Sequence, residues 1–331
     1  MEKILIWQTA FLGDLILTTP LISSLKEIFP DASIDIITKP FGKDVLKENP
    51  YINEVIIFDK NKNSTLKLIK TLKEKKYSLA ISPHRSHRAS YVLFLSGIPE
   101  RIGFDKGGFS FLYTKTVPHR FDGTHEIDRN LSLLRPLENY SEKKIKRYPQ
   151  IFLTPEEDDF YKKIGLKDKG YILVAPGSKW ETKRWTAEGF SQLINILSEK
   201  ETVVLFGGKE DRYFVDRIKR DLKREVIDIV GKTSLRESFS VVKHSKALIS
   251  NDSAPVHMAV SFGVPVVDIY GPTVKDFGFY PYRNGVVVEA DGLSCRPCGL
   301  HGHRKCPTGT FECMKNITPD MILKALKALK L

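Results

Sequence analysis

The sequence predicts an α/β protein built from two doubly wound parallel sheets. Apolar runs rich in β-branched residues alternate with helix-like segments along the 331 residues. Such alternation is typical of a parallel sheet covered by helices on both faces. The pattern pauses at the polar stretch 138–150 and then restarts. A domain typically has about 100–200 residues, so the chain is long enough for two domains. We therefore expect one domain over residues 1–160 and a second over residues 161–331.

Each half is expected to contain six strands. In the first half the predicted strands are 3–7, 34–38, 54–58, 77–82, 101–104 and 114–118, and the helices are 15–29, 41–48, 64–75, 89–96 and 124–137. In the second half the strands are 171–175, 202–206, 225–230, 247–250, 264–269 and 285–290, and the helices are 187–200, 211–223, 235–243, 255–262 and 319–329. Ligands bind at the carboxyl ends of such strands, so we expect the site in a cleft that the strand-end loops of both domains line.

Composition narrows the class of protein and its partners. No apolar run approaches the ~20 residues of a membrane span. Acids at Glu2 and Asp14 argue against a signal peptide, so we expect a cytoplasmic protein. Lysine and arginine outnumber the acids 52 to 40, which favours nucleic acid, an anionic membrane surface or phosphorylated substrates as partners. The cations are dispersed, which argues against nucleic acid, and a merely basic surface is the alternative.

The loop after the first predicted strand carries an isolated acid, in Gly13-Asp14. A nucleotide-binding turn at this place is usually rich in glycine, so that backbone N–H groups can approach a phosphate. A carboxylate repels phosphate. One interpretation is that Asp14 is a helix N-cap. The apolar neighbours Leu12 and Leu15 suggest a second, because a carboxylate in low dielectric has a raised pKa and suits a general base.

The loop APGSKWETKRW, residues 175–185, has features of a phosphate-binding site. It follows the first strand of the second half and offers a hydroxyl at Ser178 and cations that include Lys183. Hydroxyl and ammonium groups on a tight turn suit phosphate oxygens. The alternative is a solvated basic loop with two packing tryptophans.

The loop SNDSAPVHMA, residues 250–259, predicts a second anion site. Either Asp252 or Ser253 would cap a helix, and the free N–H groups of Ser253 and Ala254 would face an anion. His257 lies on the same helix face as Ser253. The alternative is a well-capped core helix with an incidental histidine.

The loop PHRSHRAS, residues 83–90, contains Arg85 and Arg88, and Arg101 follows in GIPERIGF. Arginines at strand ends suit carboxylates and phosphates, although a solvated basic loop is the alternative. The first half thus combines an acid with arginines, and the second has phosphate-binding features. This distribution indicates a two-substrate enzyme with its nucleotide donor in the second half and its acceptor in the first.

Several motifs together resemble the bacterial heptosyltransferases of glycosyltransferase family 9. They are FLGDLILTTPLISSLKEIFP, GIPERIGF, APGSKWETKRW, SNDSAPVHMAVSFGVPVVDIYGP and CRPC…CP…CM. The resemblance implies the GT-B fold, with two Rossmann-like domains. It also implies transfer of L-glycero-D-manno-heptose from ADP-heptose to the inner core of lipopolysaccharide. The acceptor would be Kdo-lipid A or heptosyl-Kdo-lipid A at the cytoplasmic face of the inner membrane. In the family the reaction inverts the anomeric centre and needs no catalytic metal or cofactor.

The resemblance also assigns residues. Asp14 matches the proposed base, with Gly13 beside it at the acceptor. Lys183 matches a lysine that contacts the donor phosphates, with Ser178 nearby. The family motif D-[ST]-G-x-x-H aligns with four donor-binding positions: Asp252, Ser253, Ala254 and His257. Ala254 departs from the commoner glycine, which affects donor affinity. Further expectations place adenine near Leu235, the ribose near Glu210, and the acceptor's anionic groups at Arg85, Arg88 and Arg101.

Four cysteines lie in the last 40 residues or so as C-x2-C-x7-C-x6-C: Cys295, Cys298, Cys306 and Cys313. Four thiols can hold a structural zinc ion tetrahedrally, and His301 or His303 could replace one of them. Free thiols and disulfides are the alternatives.

Two other functions compete with heptose transfer. A family-9 transferase could use another nucleotide sugar or acceptor. A zinc-containing nucleic-acid binder would explain the basic charge and the cysteines, but it leaves Asp14 and the turn at Ser253 unexplained.

Overall fold

A computed structural model describes residues 2–330, and the chain divides into two compact units between Phe152 and Leu153. The boundary expected at residue 160 falls inside the second unit. Thr154 caps a short helix there, and the Tyr161 ring stacks on His244 with centroids 3.8 Å apart. These contacts join residues 154–163 to the second unit.

The first unit contains one parallel six-stranded sheet of order β3-β2-β1-β4-β5-β6. Its strands are β1 (Lys3–Trp7), β2 (Ser33–Thr38), β3 (Glu54–Ile57), β4 (Leu79–Ser82), β5 (Glu100–Phe104) and β6 (Lys115–Val117). Its helices are α1 (Leu12–Ile16), α2 (Thr19–Ile28), α3 (Gly42–Val45), α4 (Thr65–Lys75), α5 (His87–Leu95) and α6 (Glu126–Ser132). The central strand β1 is apolar and buried from Ile4 to Trp7, as expected of a strand covered on both faces.

The second unit repeats the architecture with strand order β12-β11-β10-β7-β8-β9. Its strands are β7 (Tyr171–Ala175), β8 (Thr202–Leu205), β9 (Ile227–Asp228), β10 (Ala247–Asn251), β11 (Val266–Tyr270) and β12 (Gly285–Glu289). Its helices are α7 (Pro155–Asp158), α8 (Phe160–Lys163), α9 (Ala187–Leu197), α10 (Arg212–Lys219), α11 (Leu235–Lys243), α12 (Ala254–Ser261), α13 (Glu312–Lys315) and α14 (Pro319–Ala328). The predicted doubly wound α/β class is confirmed in both units.

The helix predicted over 15–29 is two helices, α1 and α2. Pro20 has no N–H to donate to the Ile16 carbonyl, and the Thr19 hydroxyl donates to that carbonyl instead, at 2.8 Å. Thr18 in turn donates to the Asp14 carbonyl at 2.7 Å. The break keeps Asp14 in a short helix of its own, directly after β1.

Several other predicted elements are shorter than expected, and two of them illustrate this. The strand predicted over 225–230 is reduced to the two residues of β9 at the sheet edge. The helix predicted over 124–137 ends at Ser132 and continues as turns. Within residues 2–330 no helix is long and apolar enough to cross a membrane.

Candidate active site

In the first unit the strand order reverses direction at β1, which pairs with β2 on one side and β4 on the other. Ligand sites of doubly wound sheets lie at such a switch point, beyond the carboxyl ends of the strands. The loops after β1 and β4 meet there, because the Thr9 hydroxyl and His84 Nδ1 share a hydrogen bond of 2.9 Å. Thr9 also accepts from the indole N–H of Trp7 at 3.1 Å. The predicted loops at Asp14 and Arg85 therefore belong to one site.

Asp14 is the third residue of α1, and the N-cap prediction for it is wrong. Phe11 occupies the N-cap, and its backbone N–H donates to Asp14 Oδ2 at 3.1 Å. The carboxylate therefore reaches back over the start of the helix, as an acid at this position often does. Burial raises the pKa of Asp14, and this is opposed by the Phe11 N–H and by the charges of Lys39 and Arg85. Gly13 beside it is buried.

A second buried carboxyl, Glu126 on α6, lies within electrostatic range of Asp14. Arg129 donates to Glu126 Oε2 through Nε and Nη2, each at 2.8 Å, and His119 Nε2 lies 4.0 Å from the same oxygen. Burial raises the pKa of Glu126 to about 7, whereas burial lowers the pKa of His119 to about 3. The sequence analysis missed this group.

Arg85 is the predicted acceptor residue best placed to bind a ligand. Its guanidinium lies 5.5 Å from the Phe121 ring centroid and is attracted electrostatically by the carboxyl groups of Asp14 and Glu126. Among the described residues no side chain or backbone oxygen accepts a hydrogen bond from this guanidinium. The Arg129 guanidinium lies 5.1 Å from the centroid of the same ring. The Phe121 ring therefore contacts two guanidinium groups, those of Arg85 and Arg129.

Arg101 and Arg88 are placed differently. The Arg101 guanidinium donates to three backbone carbonyls, those of Leu112 at 2.9 Å, Pro99 at 3.3 Å and Ile98. These bonds hold the guanidinium against the backbone that precedes β5 and β6, so Arg101 does not fit its predicted acceptor role. Arg88 lies 5.9 Å from the Phe58 ring, and its buried Nε has no hydrogen-bond partner among the described residues.

In the second unit the switch point is β7, which pairs with β10 and β8. Asn251, fully buried at the end of β10, ties the two loops together. Its side-chain amide donates to the Pro176 carbonyl at 2.7 Å and accepts from the Trp185 N–H at 2.9 Å. The two loops predicted to bind phosphate therefore lie side by side.

Lys183 and Asp252 form an ion pair across these loops. Asp252 also accepts from the Thr273 hydroxyl at 2.7 Å, which brings in the loop after β11. The pair is largely shielded from solvent, with side-chain exposures of 13% and 9%. The ammonium group is thereby fixed at the carboxyl end of the sheet, where a ligand is expected.

Helix α12 begins beside this pair, with Ser253 at the N-cap and Pro255 in the first turn. The Ser253 hydroxyl does not cap the helix and instead donates to the Asn251 carbonyl at 3.0 Å. The first amides of a helix have no intrahelical acceptor, so the N–H of Ala254 suits an anion. Pro255 has no N–H, and the Val256 N–H donates to the Ser253 carbonyl at 3.1 Å. His257 is buried, and no residue in 2–330 pairs with its Nδ1. Burial lowers its pKa to about 4, so the ring is neutral at physiological pH.

The remaining predicted donor residues surround the same sheet end less closely. Ser178 is buried and accepts from the Trp180 N–H at 3.4 Å. Leu235 is half-buried at the start of α11, and Glu210 is exposed in the turn after β8. A residue missed by the sequence analysis, Asp211, is buried and accepts from the Gly208 N–H at 2.9 Å.

The four cysteines do not form a metal site. Over residues 2–330 no group of three or more His, Cys, Asp or Glu side chains is arranged to hold a metal ion. Cys298 Sγ lies 3.1 Å from the Cys295 carbonyl, Cys306 Sγ lies 3.3 Å from the Thr308 hydroxyl, and Cys313 packs in the core. The structural-zinc prediction therefore finds no support in this arrangement.

The segment that carries the cysteines nevertheless packs on the loops at the end of the second sheet. The Cys298 N–H donates to the Pro272 carbonyl at 3.0 Å, and the His303 N–H donates to the Thr182 hydroxyl at 2.7 Å. Arg296 donates to the Thr273 carbonyl at 2.8 Å. These bonds support the loops that hold Lys183 and Asp252.

A family model described as glycosyltransferase family 9 (heptosyltransferase) matches residues 65–306. The chain belongs to glycosyltransferase family 9. It is 31% identical over 300 residues to lipopolysaccharide heptosyltransferase 3 of Escherichia coli K12, covering 83% of this chain and 84% of the relative. The chain is therefore a glycosyltransferase, as the resemblance implied.

Solved structures give the fold. The family 9 glycosyltransferase of Veillonella parvula superposes with a TM-score of 0.86 and 26% identity, covering 99% of this chain and 97% of that one. The ADP-heptose lipopolysaccharide heptosyltransferase II of E. coli has a TM-score of 0.79 and 23% identity, covering 99% and 98%. Together with the two parallel sheets, these likenesses confirm the predicted GT-B fold.

Proposed function

We propose that the protein transfers L-glycero-D-manno-heptose from ADP-heptose to the inner core of lipopolysaccharide, with inversion at the anomeric carbon. One observation carries the proposal. A carboxylate with a raised pKa stands at the switch point of the first unit, and a lysine with a helix N-terminus stands at that of the second. The names of the similar proteins supply the sugar and the acceptor class.

The proposed step is a single displacement. An acceptor hydroxyl attacks the anomeric carbon while its proton passes to Asp14, and the bond from that carbon to the diphosphate oxygen breaks as ADP leaves. A sugar hydroxyl titrates far above neutrality, so it needs a base as it attacks. The step requires no cofactor, because the cationic and hydrogen-bonding groups of the chain bear the charge of the departing ADP.

On the donor side, Lys183 and the Ala254 N–H at the start of α12 would hold the diphosphate. Asp252 would orient Lys183, and His257, neutral at physiological pH, would offer a hydrogen bond without a charge. Ser178 would contribute to the phosphate loop. Adenine near Leu235 and ribose near Glu210 remain predictions.

On the acceptor side, Arg85 would bind a carboxylate or phosphate of Kdo-lipid A or heptosyl-Kdo-lipid A. We expect Arg85→Ala to raise the KM for the lipid acceptor about 10-fold or more, because a charge-assisted hydrogen bond contributes about 1.5–3 kcal/mol. The KM for the donor should stay unchanged. Arg101→Ala is the matched control and should lower thermal stability with little effect on acceptor KM. Equal acceptor KM values for both variants and wild type would contradict the assignment of Arg85.

The pH dependence of kcat/KM tests the environment of Asp14. A general base must be ionised, so activity falls as the pH drops through its pKa. Because burial raises the pKa of Asp14, the acidic limb should lie above the ordinary aspartate value of about 3.9. Lys39→Ala removes a positive charge that lowers the pKa of Asp14 and should move this limb to higher pH. A limb that does not move would contradict Asp14 as the group that sets it.

We place the reaction at the cytoplasmic face of the inner membrane, where the lipid acceptor is found. The alternative is a family 9 enzyme for another nucleotide sugar or acceptor. The reason to test this alternative is Ala254, which stands where the family motif usually has glycine and affects donor affinity. Competition of ADP-glucose and ADP-mannose with ADP-heptose for the enzyme would decide it.

A further inference from the structure

Four large apolar side chains of the first unit are exposed close together: Phe94 and Leu95 at the end of α5, and Phe109 and Phe111 in the loop after β5. We refer to these four as the aromatic patch. Their exposed fractions are 46%, 48%, 46% and 79% in that order. Contiguous exposed apolar surface of this kind marks an interaction site more often than isolated apolar residues do.

Contacts connect three members of the aromatic patch, Phe94, Phe109 and Phe111. The Phe109 and Phe111 rings lie 6.0 Å apart. The Arg101 guanidinium lies 5.4 Å from the Phe94 ring centroid and donates to the Leu112 carbonyl at 2.9 Å. Arg101 thereby connects the end of α5 to the loop that carries Phe111.

The backbone at Phe109 indicates a role beyond packing. Its φ is 52°, in the left-handed region that bulky residues avoid. Glycine or asparagine would relieve the strain, and a polar residue would suit the exposure. Neither burial nor backbone preference therefore explains a phenylalanine here, and such strain tends to persist at functional positions.

The charge around the patch is positive. Residues 83–113 contain four cationic side chains and two acids. Both acids are already ion-paired: Glu100 with Lys115 at 2.7 Å and Asp105 with Arg120 at 2.8 Å. Aromatic rings beside cations are typical of surfaces that bind at the interface of an anionic bilayer.

The patch is continuous with the candidate acceptor site. The Gly108 N–H donates to the Arg85 carbonyl at 3.1 Å, and the Phe109 ring packs against His87 with centroids 4.8 Å apart. The loop that carries Phe109 and Phe111 is therefore bonded to the loop that carries Arg85.

We propose that the aromatic patch is the surface by which the protein docks on a bilayer containing anionic lipids, with Phe109 and Phe111 entering the headgroup region. Only the reason for docking rests on the proposed function, and the vesicle binding itself does not. Docking here would bring Arg85 and Asp14 close to the head group of a membrane-embedded acceptor.

The test is co-sedimentation of the full chain with vesicles of phosphatidylethanolamine and phosphatidylglycerol, without donor or acceptor. The variant is Phe109→Asn with Phe111→Ser, because asparagine suits the left-handed backbone. The control is Ile196→Gln with Tyr213→Gln, two side chains of the second unit exposed by 44% and 74%. Thermal melting confirms that both variants fold.

We expect the patch variant to lower the partition coefficient onto these vesicles by about 10-fold or more, since each ring withdraws apolar area from water on docking. The control should bind as wild type does, and added salt should weaken binding of all forms. Vesicle binding of the patch variant equal to that of wild type would overturn the proposal.

Activity separates this inference from the proposed function. With a water-soluble acceptor that lacks acyl chains, the patch variant should release ADP as fast as wild type. Absence of transfer by the wild type would overturn the proposed function and leave the vesicle result intact. Normal vesicle binding combined with slow transfer to an acylated acceptor in detergent would overturn bilayer docking and assign the patch to the acyl chains.

Discussion

Asp14→Asn is expected to lower kcat by about 10²–10⁴-fold, the usual contribution of general base catalysis. Asparagine has nearly the same shape, and its side-chain oxygen can still accept from the Phe11 N–H, so α1 should keep its N-terminal hydrogen bond. The loss would therefore come from the missing base. Single-turnover rates of heptose transfer, measured with saturating donor and acceptor, give this number directly.

The same variant should bind ADP as wild type does, because Asp14 lies in the unit without the phosphate-binding loops. Asp31→Asn, an exposed acid of the same unit, is the matched control and should keep full activity. Full activity of Asp14→Asn at every pH would remove Asp14 as the base and shift attention to Glu126, the other buried carboxyl of this site.

Lys183→Ala is expected to lower kcat about 10²–10³-fold, comparable to the loss of one preorganised group that stabilises developing charge, and to raise the KM for ADP-heptose. Two effects combine. The diphosphate loses a cation, and the buried Asp252 loses its ion pair, so an unpaired carboxylate faces the ligand's negative charge. Isothermal titration with ADP and steady-state kinetics measure the two effects separately.

The second effect can be isolated with a double variant. Asp252→Asn in the Lys183→Ala background removes the unpaired carboxylate and should restore part of the ADP affinity. Lys179→Ala, an exposed lysine of the same loop, is the control and should change ADP affinity little. An unchanged dissociation constant for ADP in Lys183→Ala would contradict the placement of the diphosphate at this lysine.

The fold was predictable because strands buried on both faces are apolar along their whole length. The predicted bounds of β1, β7 and α11 agree with the structure at every residue. The break between α1 and α2 was also encoded, in Pro20, but the apolar periodicity on both sides of it concealed the break. The N-cap of α1 was missed because Phe11 has no capping side chain, so nothing local marks the helix start.

The candidate site was predictable where one loop contains the whole signal, as at Gly13-Asp14 or SNDSAPVHMA. It was not predictable where distant segments combine. Glu126 sits in an ordinary polar helical stretch, and only the fold brings it within electrostatic range of Asp14 and Arg85. Arg101 is the opposite case, a predicted ligand-binding residue that the fold uses otherwise. The sequence of an arginine at a strand end is the same whether it binds an anion or donates to backbone carbonyls.

Heptose transfer is tested most directly by release of ADP from ADP-heptose by the purified protein, measured with acceptors that carry Kdo alone or one heptose. We expect ADP release only when one of these acceptors is present, in step with a heptosylated product of inverted anomeric configuration. Release from a different nucleotide sugar, or a product that retains the donor's configuration, would contradict the proposed function.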